Sequence, residues 1–270
     1  MIKAKLTKVP QTMLLPLIAR AEISKKKNSI LMDTKAIELS DSIDYDKHNF
    51  KRYIQEIGIL GLAIRAKKFD DAIRTFLESH PNGKVLSIGA GLDTTFYRVD
   101  NGKVIWFDLD LPESMELRQK LLPPPSRVTY ITKSMLDYTW IDDLGDISGG
   151  LFIQIAGVLP YFKEEDVKIF LVTISEKLPK AEIIFDACSP FVKIVISQRI
   201  RQSGIQNAPI QWGITDISKL EKWSKHITIV KAEPIFKGIK RRFSYKWITQ
   251  ILMNGGDLFK SAQVVHLKFR

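Results

Sequence analysis

The apolar positions in the first 80 residues of the chain recur at helical spacing. In the segment FDDAIRTFL at 69–77 they stand at i, i+3, i+4, i+7 and i+8, which is typical of one apolar stripe along an amphipathic helix. The segment HPNG follows at 80–83 with residues that end a helix and turn the chain. The pattern predicts an N-terminal helical cap that spans residues 1–80.

From residue 84 the spacing changes to short apolar runs separated by helical patterns. The runs are KVLSIG (84–89), VIWFDLD (104–110), VTYIT (128–132), LFIQIAG (151–157) and AEIIFDA (181–187). Nearly continuous apolar runs of this length are typical of parallel strands that are buried on both faces. Acids open the helical segment KEEDVKIFLVTISEKLP between the last two runs, and a proline ends it. The repeated order of strand, helix and strand predicts a doubly wound α/β sheet in a core that spans residues 81–270.

Residues 189–225 break this alternation and predict an inserted helix and loop, where a lid or an acceptor pocket could form. Beyond them, ITIVKAEPI and AQVVHLKF predict two final strands on either side of a helix around YKWITQILM. We expect the NGGD segment at 254–257 to form the turn before the last strand. The two strands predict an antiparallel edge of the sheet.

Composition narrows the class of protein without naming a function. The chain has 270 residues, 45% of them hydrophobic and 26% charged, as in folded globular proteins, and a net charge of +11. Its basic residues are spread out, apart from KKK at 25–27, which we interpret as a solvated face, and KRR at 240–242. The single cysteine, Cys188, excludes an intramolecular disulfide, and the four histidines are dispersed, so we expect no metal site. The first apolar stretch is too short to span a membrane and no cleavage site follows it, which favours a cytoplasmic protein.

The segment SIGAGLDT at 87–94 is a glycine-containing turn directly after the first predicted strand, where nucleotides bind in such sheets. Gly89 and Gly91 fit a dinucleotide fingerprint, but Thr94 replaces its third glycine. Asp93 would cost about 4 kcal/mol against a phosphate charge at 4 Å and an effective dielectric of about 20. Only 14 residues separate Gly89 from Val104, which leaves room for about two helical turns. S-adenosylmethionine has no phosphate and tolerates Asp93, which in the alternative interpretation caps the short helix.

Acidic residues follow the next two predicted strands. Asp108 and Asp110 lie 17 and 19 residues beyond Gly91, where a carboxylate can accept hydrogen bonds from both ribose hydroxyls. One of the two could bind ribose while the other caps the following helix. Asp137 comes just past the third strand, where it either accepts from the adenine amino group or is solvated.

Four segments together resemble the leucine carboxyl methyltransferase family, and in particular its bacterial polyketide O-methyltransferase branch of the tetracenomycin type. They are VPQTMLLPLIARA, VLSIGAGLDTTFYRVDNGKVIWFDLDLPE, SMLDYTWID and GVLPYF. The resemblance implies a class I methyltransferase fold, Rossmann-like with a mostly parallel seven-stranded sheet. It also implies S-adenosylmethionine as cofactor, S-adenosylhomocysteine as product, and O-methylation, often of a carboxylate.

The same resemblance implies roles for individual residues. Gly89 and Gly91 would shape the turn under the methionine part of the cofactor, and Asp110 would hold the ribose. Leu136 and Asp137 would bracket the adenine. Arg65 would pair with the cofactor carboxylate; without the resemblance it is interpreted as a helix arginine that extends to solvent. Arg20 and Tyr161 also fall in segments that are similar to the family, with Arg20 on the cofactor side and Tyr161 on the acceptor side.

The chain departs from the family pattern at two positions. Thr95 stands where the branch has an arginine in GLDTRFYR, and Ala156 stands where it has an acid in AEGVLMYF. The missing acid would lie near the methionine ammonium at the end of the fourth strand. Its loss leaves two interpretations open, a reshaped acceptor site or a weakened enzyme.

The acceptor is not specified by a motif. A carboxylate acceptor needs no base whereas a phenol does, and the absence of a histidine motif favours a carboxylate. The cations that could hold it are Arg199, Arg201, Arg241 and Arg242, unless these are surface charges. Trp212 either lines the pocket or packs in the insert.

Two other function classes stay open at this point. The missing third glycine, the short helix and Asp93 disfavour an NAD-dependent dehydrogenase. The net charge and the acid absent at Ala156 leave a non-catalytic or nucleic-acid-binding relative as an alternative, although no RNA-binding module accompanies the core. We expect a small-molecule acceptor as the partner, and neither a membrane nor nucleic acid.

Overall fold

The sheet has seven strands in the order β3-β2-β1-β4-β5-β7-β6. The computed structural model describes residues 10–43, 54–202, 209–239 and 245–270. The strands are β1 Lys84–Ile88, β2 Ile105–Asp110, β3 Val128–Thr132, β4 Leu151–Ile155, β5 Glu182–Cys188, β6 Ile227–Pro234 and β7 Ala262–Phe269. Each of the seven predicted strands is present, with bounds shifted by at most two residues.

Helices cover both faces of this sheet, as the alternating pattern predicts. They are α1 Pro10–Ser24, α2 Thr34–Ser42, α3 Glu56–Ser79, α4 Thr95–Val99, α5 Pro112–Leu121, α6 Trp140–Asp143, α7 Glu164–Lys177, α8 Pro190–Gln202 and α9 Trp247–Leu258. The helix after the glycine turn, α4, has five residues, in agreement with the predicted limit of two turns. Of these described helices, none is long and apolar enough to cross a membrane.

Strand register places the loops that matter at one edge of the sheet. β1 to β5 pair in parallel, with Ile88 of β1 opposite Ile155 of β4 and Ile155 opposite Phe185 of β5. The residues that follow these positions therefore leave the sheet side by side at its carboxyl edge. β7 runs antiparallel to both β5 and β6, so the predicted antiparallel edge is confirmed.

Successive residues along each strand pack into two apolar layers, one on each face of the sheet. On one face, Leu86 and Ile153 pack with α7, and on the other, Val85 and Phe152 pack with α3. The apolar stripe predicted at 69–77 lies within α3 and contacts the sheet directly. Helix α3 therefore shares a core with the strands, while the division of the chain at residue 80 stays a prediction.

The turn expected at NGGD is wrong. Asn254, Gly255, Gly256 and Asp257 belong to α9, and the chain turns only at Phe259 and Lys260, where Lys260 has a φ of +47°. Two tertiary contacts stabilise the extra helical turn against the low helix propensity of glycine. The ring of Phe236 lies 3.8 Å from where a Cβ of Gly256 would stand, and the Phe236 amide donates to the Asp257 carboxylate at 3.1 Å.

The described part of the 189–225 insert contains α8 and a 3-10 helix at Ile217–Lys222, as expected for a helix and loop. Between them, the amides of Gln211 and Trp212 both donate to the carbonyl of Pro160. The insert is thereby tied to the chain just beyond β4. Its action as a lid stays a prediction.

Candidate functional site

Gly89 and Gly91 form the turn that leaves β1 at the carboxyl edge of the sheet. Their φ angles are +66° and +44°, a region that side chains other than glycine rarely adopt. A Cβ on Gly89 would stand 2.3 Å from Val158, and a Cβ on Gly91 would stand 2.8 Å from the sulfur of Met13. Both glycines are therefore required by backbone conformation and by the close approach of neighbouring chain.

Asp110 ends β2 beside this turn. Its carboxylate accepts hydrogen bonds from the amides of Gly91 and Leu111, each at 2.7 Å, and from the side chain of Ser114. Burial raises the pKa of Asp110, and the two amides partly offset that rise. Each carboxylate oxygen can accept two hydrogen bonds, so Asp110 retains capacity for hydroxyl donors at the mouth of the turn.

Asp108 lies two residues earlier on β2 and is fully engaged inside the protein. It is 1% exposed, pairs with Arg118 at 2.6 Å and accepts from the indole of Trp106 at 2.8 Å. Burial raises the pKa of Asp108, while Arg118 lowers it. Arg118 also donates to the carbonyls of Gly91 and Asp93, both at 2.8 Å. The pair of Asp108 and Arg118 thereby holds the glycine turn by its backbone carbonyls. Contact of Asp108 with a cofactor stays a prediction.

Two further arginines hold the same turn. Arg98 forms a two-pronged ion pair with Asp70 at 2.7 and 2.8 Å and a second ion pair with Asp33 at 2.5 Å. Arg20 pairs with Asp33 at 2.9 Å and donates to the carbonyl of Leu92 at 3.0 Å. The expected role of Arg20 in cofactor binding stays a prediction, because its contacts here are with the turn and its supports.

Asp93 is the aspartate that distinguishes this loop from a phosphate-binding one. It accepts from Gln154 at 2.9 Å and from the amide of Thr95, the first residue of α4, at 3.3 Å, whereas the N-cap position of that helix is Thr94. Arg20 stands 3.9 Å from it. Burial alone would raise the pKa of Asp93, but Arg20 and Arg98 outweigh it and lower the pKa to about 2. Asp93 is therefore ionised at neutral pH.

These charges form one connected group beneath the turn, which we call the arginine network. It consists of the arginines Arg20, Arg98 and Arg118 and the aspartates Asp33, Asp70, Asp93 and Asp108. Aspartates outnumber arginines by one among these residues. The ionised carboxylate of Asp93 in this network disfavours a pyrophosphate at the turn and is compatible with a cofactor that has a cationic centre.

Arg65 is placed by α3 at the same edge of the sheet. Its side chain is 8% exposed, and it donates to Asp186 at 3.0 Å. The other Asp186 oxygen accepts from the amide of Gly157 at 2.5 Å. Gly157 has a φ of +72°, and a Cβ there would stand 2.8 Å from the Arg65 guanidinium. Arg65 is a buried cation that lies against the end of β4, not a solvated helix arginine.

Leu136 and Asp137 lie in the loop after β3 and are both exposed. Asp137 accepts from the hydroxyl of Thr139 at 2.7 Å and from its amide at 3.2 Å, and these bonds lower the pKa of Asp137. One carboxylate oxygen is thereby used within the loop. The solvated alternative describes this residue as it stands, and contact with adenine stays a prediction.

The two departures from the family pattern have different surroundings. Thr95 is buried, and its hydroxyl accepts from Arg98 at 2.9 Å, so it belongs to the support of the turn. Ala156 follows β4 and packs against the apolar layer that contains α3. The register of Ile155 with Phe185 sets Ala156 beside Asp186.

The acceptor-side candidates are scattered in the described structure. Trp212 is 1% exposed and packs between Phe185 and Trp223, which corresponds to the packing alternative. Arg199 donates to the side chain of Gln55 at 3.0 Å. The carbonyl of Tyr161 accepts from the side chain of Gln211 at 2.6 Å, in the 3-10 turn after β4. Arg241 and Arg242 lie outside the described residues, and the acceptor roles of all five stay predictions.

Sequence reasoning missed most of the residues that support this site. They are Asp33, Asp70, Arg98, Arg118, Gln154 and Asp186. Their ion-pair partners lie 10 to 121 residues apart without a common spacing, so spacing carries no signal for them. A polar residue inside an otherwise apolar strand, such as Gln154 in LFIQI or Asp186 in EIIFDAC, was the local signal available.

The residues at this edge fit S-adenosylmethionine. Asp110 offers acceptors for ribose hydroxyls, and Arg65 offers donors for a carboxylate. Asp110 ends β2, and the Arg65 guanidinium lies against Gly157 just beyond β4, so the two groups stand on opposite sides of β1, as an extended cofactor across the glycine turn requires.

Comparison with known proteins agrees with this geometry. The leucine carboxyl methyltransferase family matches residues 14–174. The tetracenomycin polyketide synthesis O-methyltransferase TcmP of Streptomyces glaucescens is 32% identical over 222 residues, covering 80% of this chain and 79% of that protein. The S-adenosyl-L-methionine-dependent methyltransferase dpfgK of Gibberella zeae is 23% identical, covering 95% of this chain and 92% of that protein.

Among solved structures, a DUF574 family protein from Streptomyces avermitilis superimposes with a TM-score of 0.58 at 13% identity. The superposition covers 93% of this chain and 96% of that one, and it shows a shared fold. The sequence match extends over more than half of the chain and includes the glycine turn, Asp110 and Ala156. This chain belongs to the leucine carboxyl methyltransferase family and is an S-adenosylmethionine-dependent methyltransferase.

Proposed function

We propose that this methyltransferase transfers its methyl group to a carboxylate oxygen of a small, polyketide-like acid. The single observation that carries the proposal is where the described histidines lie. His80 precedes β1, His226 precedes β6, and His266 bonds to Glu182 at the start of β5 at 2.9 Å. All three stand towards the amino ends of the parallel strands, away from the glycine turn.

An acceptor that must lose a proton requires a base within hydrogen-bond reach. Cys188 is at the carboxyl edge, but burial raises its pKa to about 12, so it remains a neutral thiol at neutral pH. A carboxylate acceptor is already ionised at that pH and needs neither group. TcmP of Streptomyces glaucescens is by its name an O-methyltransferase of polyketide synthesis, which supports a polyketide-like acceptor.

We place the cofactor across Gly89 and Gly91, with its ribose at Asp110 and its amino acid end at Arg65. The bound cofactor supplies an electrophilic methyl group. The chain contributes by aligning the acceptor oxygen with that methyl and by excluding water, which together supply most of the rate in a displacement of this kind. The support of the turn by the arginine network serves that alignment.

The assay uses an acceptor that has both a carboxylate oxygen and a phenol oxygen. The enzyme is incubated with deuteromethyl-labelled S-adenosylmethionine and a hydroxynaphthoic acid, and the product is then treated with mild alkali. We expect labelled methanol, because a methyl ester is hydrolysed whereas a methyl aryl ether is stable. A labelled product that survives alkali would contradict the carboxylate assignment and leave the methyltransferase intact.

A small-molecule partner and action in the cytoplasm are part of the same proposal. The net charge of +11 leaves binding of nucleic acid as the competing interpretation. Affinity for RNA or DNA that falls steeply with salt would favour that interpretation. We expect no saturable binding of either at moderate salt.

A further inference from the structure

The carboxyl edge of β5 holds a carboxylate beside the position where the family acid is missing. Asp186 lies one strand over from Ala156, where the family pattern has an acid. Its side chain is 19% exposed, so it is accessible, while its partner Arg65 is 8% exposed.

Each Asp186 oxygen has one donor in the hydrogen bonds described above, the Gly157 amide at 2.5 Å and Arg65 at 3.0 Å. A carboxylate oxygen accepts two, so Asp186 retains capacity on both. The Gly157 amide fixes the orientation of the carboxylate without neutralising it. Arg65 is held against Gly157 as well, so the two charges stay adjacent.

An adjacent guanidinium and carboxylate are complementary to an amino acid zwitterion. The carboxylate of such a ligand pairs with Arg65 and its ammonium pairs with Asp186, so that each protein charge finds an opposite charge in the ligand. The pair of Arg65 and Asp186 also lies close to the glycine turn, where the amino acid end of the cofactor is placed. Val158 directly follows Gly157 and lies over Gly89, which joins the pair to the glycine turn.

We propose that Asp186 binds the ammonium group of the cofactor's methionine end and so takes over the task of the acid absent at Ala156. The inference rests on the proposed placement of the cofactor across Gly89 and Gly91. It makes the chain a methyltransferase with a displaced ammonium site, rather than a weakened one. The competing explanation is that Asp186 only positions Arg65.

Calorimetric titration of the full-length protein separates the two explanations. The ligands are S-adenosylhomocysteine and its analogue without the amino group, and the variants are wild type and Asp186→Asn. The substitution removes the charge but preserves shape and one acceptor for the Gly157 amide. We expect it to weaken S-adenosylhomocysteine at least tenfold, because a charge-assisted hydrogen bond is lost.

For the analogue without the amino group, we expect the substitution not to weaken the affinity. Asp186→Asn frees Arg65 from its competing partner, so the analogue, which has only a carboxylate, should bind the variant at least as tightly as the wild type. If Asp186 only positions Arg65, the variant weakens both ligands alike, and the proposal is wrong.

A second test compares the two ligands on the wild-type protein alone, so it does not depend on the folding of a variant. Removal of the amino group from the ligand should weaken binding at least tenfold, and equal affinities would overturn the proposal. Failure of the proposed cofactor placement looks different. In that case Asp110→Asn would leave the affinity for both ligands unchanged, whereas the placement predicts a loss for both.

Discussion

The carboxylate of Asp110 accepts a hydrogen bond from the backbone amide of Gly91 at 2.7 Å. This bond joins the end of β2 to the turn after β1, so the acid expected to hold ribose is positioned by the turn expected to carry the methionine end. Burial raises the pKa of Asp110, yet two backbone amides stabilise its ionised form.

Asp110→Asn should lower the affinity for S-adenosylhomocysteine at least tenfold, since hydroxyl donors lose a charged acceptor. Calorimetry measures the dissociation constant, and thermal unfolding shows whether the fold is retained. Asp146→Asn is the matched control, because Asp146 is an exposed turn aspartate that hydrogen-bonds Ser148 before β4. Equal affinities in the two variants would contradict the assignment of Asp110.

Arg118→Leu should destabilise the protein by about 3–5 kcal/mol, because it leaves the buried Asp108 carboxylate without its partner. The urea midpoint measures the effect. Lys120→Leu on the same helix removes the exposed ion pair with Glu116 and should leave the midpoint unchanged within error. Similar shifts in both variants would show that the arginine network contributes no more than a surface pair.

Asp93→Asn should reduce stability in a pH-dependent manner. The pKa of Asp93 is about 2 in the folded protein against 3.8 ordinarily, so the ionised form stabilises the fold. That stabilisation, about 2 kcal/mol, is complete above about pH 5 and disappears as the pH falls from about 4 to about 2.

The difference in unfolding free energy between wild type and Asp93→Asn is the quantity to measure, from urea titrations at several pH values. The acids outside the arginine network are common to both proteins, so their titration cancels to first order. A difference that stays constant or grows as the pH is lowered would show that Asp93 is not held by Arg20 and Arg98.

Gly89→Ala should destabilise the protein more than Gly102→Ala. Both glycines have positive φ, +66° and +80°, and alanine there costs about 1–2 kcal/mol. Only at Gly89 does the new Cβ meet another side chain, Val158 at 2.3 Å, whereas nothing lies within 4 Å at Gly102. Thermal unfolding compares the two, and Val158→Ala in the Gly89→Ala background should recover part of the excess.

The order of strands and helices follows from the sequence because burial on two faces leaves a local trace. The runs KVLSIG and LFIQIAG contain β1 and β4, since a strand covered on both sides needs apolar residues at nearly every position. The glycine turn and Asp110 are equally local, because the positive φ angles of Gly89 and Gly91 call for glycine.

Where local preference and tertiary contact disagree, the contact decides. NGGD has the composition of a turn, yet it remains helical because Phe236 packs against the bare Gly256 and donates to Asp257. The sequence of α9 does not predict that contact, because Phe236 precedes Gly256 by about twenty residues.

By itself, then, the sequence determined the sheet, the turn after its first strand and the class of cofactor that the turn tolerates. The tertiary structure decided which charged residues pair with each other. Asp33 meets Arg98 across 65 residues, and Arg65 meets Asp186 across 121. A buried charge must find an opposite charge or a hydrogen-bond donor, and only the folded chain shows which one stands within reach.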